Sequence, residues 1–364
     1  MTYRISRQQF ALFIFAVSLC VTPFVYDSLP FNRLHRLAWL IMIPSGAVGL
    51  AGMTIVLALL RRFPGASVIE YAPQLAGPVL GRIYLILLGL VLLAGAPANL
   101  HTLVEMTRFS ELPRMSPLWI ATLFAGMVAV GCYFGPEVIA RVGEVMGPIL
   151  LLALIGMYAS PLPAAVPARL FPLSGFNWQG YMSPAVLATL GALRGFLCVL
   201  VLGGMVNDRR GVGLWALGAI LAAWVLLALS FAEPVMVLGT GLAKTLRYPL
   251  LAVTGTVSFR WLPFQRFTTV VVMVWELLMY MVFGFYLWSG VDVLSAAVGL
   301  RQRRAAIIVW AGVAAFIAGA SVRRRVFRGG TSIWDFSVIL VGVILPLLLL
   351  LLARRHPVAT ESEQ

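Results

Sequence analysis

Long apolar runs alternate with short polar or basic connections along the whole chain. Ten runs stand out, at about 9–26, 38–60, 83–104, 118–134, 142–158, 184–206, 214–232, 267–289, 305–320 and 336–353. Each approaches the roughly 20 residues that an α-helix needs to cross a bilayer core. Their apolar residues occupy all helix faces, as expected where lipid or other helices surround them. Alternating ten-residue barrel strands are absent. Only helices and closed barrels satisfy the backbone inside hydrocarbon, so the pattern predicts an all-α membrane protein of about ten transmembrane helices. The runs and their connections fill residues 1–364 as a single integral membrane domain, ending in a polar tail, 354–364, that reads as disordered. The first run lacks a small-residue cleavage site and reads as a retained span.

Composition agrees. Hydrophobic residues make up 61% and charged residues 11%, against about 25% charged in a soluble domain, which excludes a water-soluble globular protein. The balance of 27 Lys+Arg against 13 Asp+Glu gives a net +14. These basic residues lie between apolar runs, so the excess points to lipid headgroups and topology and not to nucleic acid. With the amino terminus inside, thirteen basic residues fall on each side and Arg194 falls within a span. Setting aside the long connection between the seventh and eighth runs leaves thirteen against nine, which favours both termini inside. The arginines at 301–304 and 323–325 read as headgroup contacts.

Cys20, Cys132 and Cys198 each lie in an apolar run and act as small hydrophobes. His35, His101 and His356 are far apart and lack neighbours at ligand spacing. No metal, cofactor or catalytic residue is therefore expected, and no acidic metal motif or nucleophile–base pair supports a membrane enzyme. Three connections look structured. Residues 61–82 suit a helix at the inner surface, 163–183 an ordered external loop, and 240–266 an interfacial or re-entrant segment capping the bundle.

Candidate binding residues follow from helix interruption, because freed backbone groups can face a small polar ligand at mid-membrane. In the first span Ser18, Thr22 and Pro23 fall in FAVSLCVTPFVY; in the sixth, TLGALRG places Thr189, Gly191 and Gly195 around Arg194. The alternatives are a proline kink and a small-residue packing face. The two spans correspond if the chain holds two inverted five-helix repeats, about 9–158 and 184–353. An arginine at mid-span costs about 2.5–3.5 kcal/mol on insertion scales, so it faces a partner or a cavity. Arg194 is suited either to a ligand carboxylate or to an internal pair with Glu144, Glu233 or Glu276. Glu276 is a candidate for a ligand ammonium or a proton relay. Asn99 and His101, just after Pro97, offer ligand contacts or interhelical hydrogen bonds, and Trp275 a ligand wall or an interface anchor.

Several spaced motifs together resemble one family, the spore germination receptor B subunits (GerAB/GerKB type), permeases of the amino acid–polyamine–organocation superfamily. They are the opening ISRQQF with Thr22-Pro23; Arg62-Phe63-Pro64-Gly65 with Glu70-Tyr71 and Gly77 to Gly81; and Leu112-Pro113 with Ser116-Pro117-Leu118-Trp119. Further on stand Gly135-Pro136-Glu137 with Ala140-Arg141, Glu144 and Pro148; Leu170-Phe171-Pro172; Tyr248-Pro249; and Phe264-Gln265-Arg266 with Trp275. The chain departs from the family where Leu193-Arg194-Gly195 replaces an aromatic-Gly-Glu pattern, and where Phe267-Thr268 replaces an aspartate. The resemblance implies a LeuT-like 5+5 inverted repeat with broken first and sixth helices. It also implies sensing of a small nutrient germinant, commonly an amino acid, beside A and C subunits in the spore inner membrane. The rival expectation is an ion-coupled amino acid secondary transporter, with Glu144 and Glu276 as coupling groups.

Overall fold

The computed structural model describes residues 3–19, 29–173, 175, 177–256, 267–324 and 327–354. Local signals start the helices. Helix α1, Arg7–Leu19, begins with a reciprocal cap in which the Ser6 amide donates to the Gln9 side chain at 2.9 Å and the Gln9 amide to Ser6 Oγ at 3.2 Å. After a short helix at Leu29–Leu34 and a 3₁₀ stretch at His35–Ile41 comes α2, Met42–Arg62. Ser67 and Glu70 form a second capping box at the start of α3, Val68–Ser110. Prolines at the first helical position open α4, Pro117–Phe134, and α5, Pro136–Ala159.

The second half follows. Its first span is interrupted: Pro184–Leu187 and a 3₁₀ turn, Ala188–Gly191, precede an irregular stretch, and α6, Phe196–Leu202, completes it. Then follow α7, Val212–Ala243; α8, Phe267–Val298; α9, Arg303–Arg324; and α10, Phe327–Ile339, which continues through a π turn, Leu340–Ile344, into Leu345–Ala353. Among the described residues nine helices are long and apolar enough to cross a membrane. The apolar stretches within 188–205 and 268–298 are 83% and 78% buried, those within 136–164 and 212–243 only 22% and 28%, so the former make the middle of the bundle and the latter face lipid.

Small residues let the central helices touch. A Cβ on Gly89 would meet Leu294, on Gly290 would meet Leu93, and on Gly95 would meet Tyr286. These pairings run in opposite chain directions, so α3 and α8 lie antiparallel and closely packed. Gly77 takes φ +81° with open space where a Cβ would be, so conformation and not room selects glycine there. That bend separates the first turns of α3 from the rest of the helix. Gly239 makes the same kind of bend, φ +77°, near the end of α7.

Observed boundaries differ from the apolar runs. Helix α3 extends beyond 83–104 at both ends, α8 continues nine residues past 289, α5 starts at Pro136, and α10 starts at Phe327 instead of 336. Within 163–183 the described residues include short helices at Pro167–Leu170 and Trp178–Tyr181, and Arg169 donates to the Met236 and Val237 carbonyls at 2.8 and 2.7 Å beside the bend of α7. The connection 240–266 contains a helix, Pro249–Gly255, with its last ten residues outside the described part. At the amino terminus the Ile5 amide donates to the Met205 carbonyl at 3.0 Å and the Asn207 amide to the Ile5 carbonyl at 3.1 Å. This bridge clips the chain before α1 to the end of α6.

Candidate functional site

The interruption between Gly191 and Phe196 frees backbone groups in the most buried part of the bundle, and neighbouring helices satisfy them. The Gly195 amide donates to Ser18 Oγ on α1 at 3.0 Å. The Gly191 carbonyl accepts Arg194 Nε at 2.8 Å, and the Thr189 carbonyl accepts Ser45 Oγ of α2 at 2.7 Å. Two glycines are sterically required. A Cβ on Gly195 would stand 2.7 Å from the Ile14 carbonyl oxygen, and one on Gly191 2.9 Å from the Asp335 carbonyl oxygen. The break thus presses α1 on one side and α10 on the other.

Arg194 points into this junction with 2% of its side chain exposed. Its partner is Asp335 of α10, at 2.6 Å and equally buried. The guanidinium also lies over the Trp334 ring, 4.3 Å from its centroid. Trp334 is fixed by donating to the Val91 carbonyl at 2.9 Å, and its ring rests against Tyr286 at 5.7 Å. The result is a charge pair walled by aromatic rings, with its net charge cancelled and its two poles oriented.

This arrangement corrects the expected partners of Arg194. None of Glu144, Glu233 or Glu276 pairs with it. Glu144 lies on the exposed side of α5 beside α1, where Gln9 Nε2 donates to it at 2.6 Å. Glu276 is half-buried and accepts from Thr107 at 2.5 Å. With Trp275 it sits ten to eleven residues before Tyr286, roughly 15 Å along α8 at 1.5 Å per residue, so neither joins the Arg194 cluster. Glu233 is fully buried, and neither carboxylate oxygen has a hydrogen-bond partner among the described residues.

Of the other expected site residues, Ser18, Thr189, Gly191 and Gly195 meet at the break. The Thr189 hydroxyl is spent within its own turn on Val186 at 2.6 Å. Asn99 is buried one turn from Gly95, against which Tyr286 and Trp334 pack; it donates to the Gly95 carbonyl at 2.6 Å, and its Oδ1 has no partner among the described residues. Thr22 and Pro23 lie outside the described residues. The first-span break expected there is outside them too. His101 instead belongs to a chain toward the other end of α3, 3.8 Å from Glu105, which pairs with Arg247 at 3.0 Å. No group of three His, Cys, Asp or Glu side chains placed to hold a metal occurs among the described residues.

Asp335, Trp334 and Tyr286 are the members that sequence reasoning missed. The sequence signal for Asp335 was the Arg itself, which demands a counter-charge, together with an aspartate in helical register between Ile333 and Phe336.

Comparison with known proteins places this geometry. The chain superposes on MhsT in complex with L-phenylalanine with a TM-score of 0.66 at 14% identity, over 96% of this chain and 89% of that one. It superposes on the substrate-bound outward-open state of a Na⁺-coupled sialic acid symporter with a TM-score of 0.65 at 12% identity, over 96% and 78%. A nucleobase-cation-symport-1 family transporter, closed with bromovinylhydantoin bound, gives 0.50 at 14% identity, over 99% and 95%. At these identities the likeness shows the fold, which is the LeuT fold of an integral membrane protein. The sequence matches no curated protein. The model of the spore permease family, described as spore germination protein, matches residues 4–323, and the chain therefore belongs to that family.

Proposed function

We propose that this protein is the membrane subunit of a nutrient germinant receptor, binding a small zwitterion, an amino acid, at the broken sixth span. The observation that carries this reading is the buried Arg194–Asp335 pair at the break. Its poles offer what an amino acid needs: a guanidinium for the carboxylate and a carboxylate for the ammonium. Ligand entry opens the pair and replaces each half with the matching ligand group, so no charge is left bare in the bundle. The Asn99 Oδ1 acceptor and the Trp334 and Tyr286 rings supply further recognition. Binding one arrangement of α1, α6 and α10 better than another shifts the helix bundle. In this reading partner A and C subunits receive that shift in the spore inner membrane. The amino acid complexed with a protein of the same fold supports the ligand class.

A second reading, ion-coupled transport of the amino acid, is favoured by Glu233, a fully buried carboxyl without hydrogen-bond partners among the described residues. Two measurements separate the readings: binding of radiolabelled amino acids to the purified protein, and uptake into proteoliposomes with and without an ion gradient. Saturable binding without accumulation fits the receptor. Gradient-driven accumulation that is lost in Glu233→Gln makes it a transporter. Absence of saturable binding overturns both.

A further inference from the structure

We propose that the turn after α2 and the turn before α7 together form a binding site for a phosphate group, on the face carrying the amino terminus. A cavity of about 350 Å³ opens between the last turns of α2, the turn at Pro64, the stretch after α6 and the first turn of α7. Two arginines line it, Arg61 and Arg209, and no lining residue is acidic, so the lining carries a net +2. Neither arginine side chain has an ion-pair or hydrogen-bond partner among the described residues. The acids nearest in sequence are taken up elsewhere. Asp208 pairs with Arg7 at 3.1 Å and accepts the Arg210 amide at 3.1 Å. Glu70 accepts the Ser67 amide at 2.8 Å in the capping box of α3. Neither of them lines the cavity.

Glycines set where the two guanidinium groups lie. A Cβ on Gly65, which takes φ +82°, would stand 2.3 Å from Arg209 Nη2, and one on Gly213 would stand 3.2 Å from Arg61 Nη2. Arg209, from the loop before α7, thus reaches back to the turn after α2, while Arg61, from α2, reaches forward to α7. The two forks converge on one cavity from different elements. A planar carboxylate is matched by a single guanidinium fork, whereas a tetrahedral phosphate offers oxygens to two. Helix α7 begins at Gly211, φ +72°, without a capping side chain, and its first residues, Val212, Gly213 and Leu214, belong to the lining. Its dipole therefore adds a partial positive charge to the two full ones. The buried side chains Leu57, Val206 and Val212 line the inner side, where a low local dielectric strengthens the attraction. At about 350 Å³ the cavity is near the small end of ligand sites, which run from about 300 to 1,000 Å³. That suits a headgroup phosphate or a small phosphorylated molecule.

The test uses the purified full chain in a neutral detergent and equilibrium dialysis against radiolabelled inorganic phosphate. Saturable binding is expected. Arg61→Gln and Arg209→Gln should each weaken it about ten-fold, the loss of one charge-assisted hydrogen bond. Arg210→Gln, next in sequence but outside the lining, should leave it unchanged. Arg61 and Arg209 are both exposed, so their replacement leaves the packed interior intact, and an unshifted Tm checks this. Competition then names the source of the phosphate. Displacement by stoichiometric phosphatidylglycerol assigns it to a lipid headgroup, and displacement by glycerol phosphate alone assigns it to a soluble phosphorylated molecule. Absence of saturable phosphate binding, an equal loss in Arg210→Gln, or equally effective displacement by acetate overturns the proposal.

Discussion

Two arginine–aspartate pairs in this protein share their chemistry and differ in almost everything else. Arg194 and Asp335 are each 2% exposed and sit where the sixth span breaks. Arg303 and Asp292 are 51% and 10% exposed and sit at the rim of the bundle. In the interior the guanidinium is boxed by the Gly191 carbonyl, the Asp335 carboxylate and the Trp334 ring. At the rim water and ions share the work. The comparison teaches that a charge pair in a membrane protein holds the fold only where nothing else can solvate it. Where water reaches, its value lies in what else can bind.

The largest expected effect comes from halving the interior pair. Asp335→Ala should destabilise the protein by about 3–5 kcal/mol, read as a drop in Tm in detergent, because it strands a buried guanidinium. Replacing both members with apolar residues, Arg194→Met with Asp335→Leu, should recover most of that loss. The double variant should still fail to bind an amino acid, which separates scaffold from recognition. Next comes Gly195→Ala, whose methyl group meets the Ile14 carbonyl and should cost about 1–3 kcal/mol by overpacking while lowering ligand affinity. Ser18→Ala leaves the buried Gly195 amide without its acceptor and should cost about 1–3 kcal/mol, toward the lower end if water enters. The smallest effect belongs to the rim. Arg303→Gln should change stability by no more than about 1 kcal/mol, and added salt should erase the difference. A rim variant as damaging as Asp335→Ala would break the comparison.

Much of the architecture was legible because membrane solvation writes it in long apolar runs. The sixth-span break was also legible, since TLGALRG puts two glycines around an arginine where a continuous helix has no use for them. What the runs hid were polar residues that face inward. Asp335 sits in GGTSIWDF, a stretch too polar to count as membrane, yet α10 runs through it because Asp335 turns toward Arg194 and Trp334 toward Val91. Glu144 misled in the opposite direction. It lies in an apolar sequence, but the helical phase of α5 puts it on the exposed side with Gln9. Hydropathy averages over faces, and the partner of a buried charge is a property of one face.

The short bridge between Ile5 and the end of α6 is in effect a mechanical linkage. Two hydrogen bonds tie the segment before α1 to residues 205–207, and the neighbouring residues on that same segment are the Arg4 amide, which holds Glu137 of α5, and Tyr3, which walls a cavity between α4, α8 and the start of α9. A displacement starting at the break before α6 would therefore travel along a lever only a few residues long before it reaches that cavity.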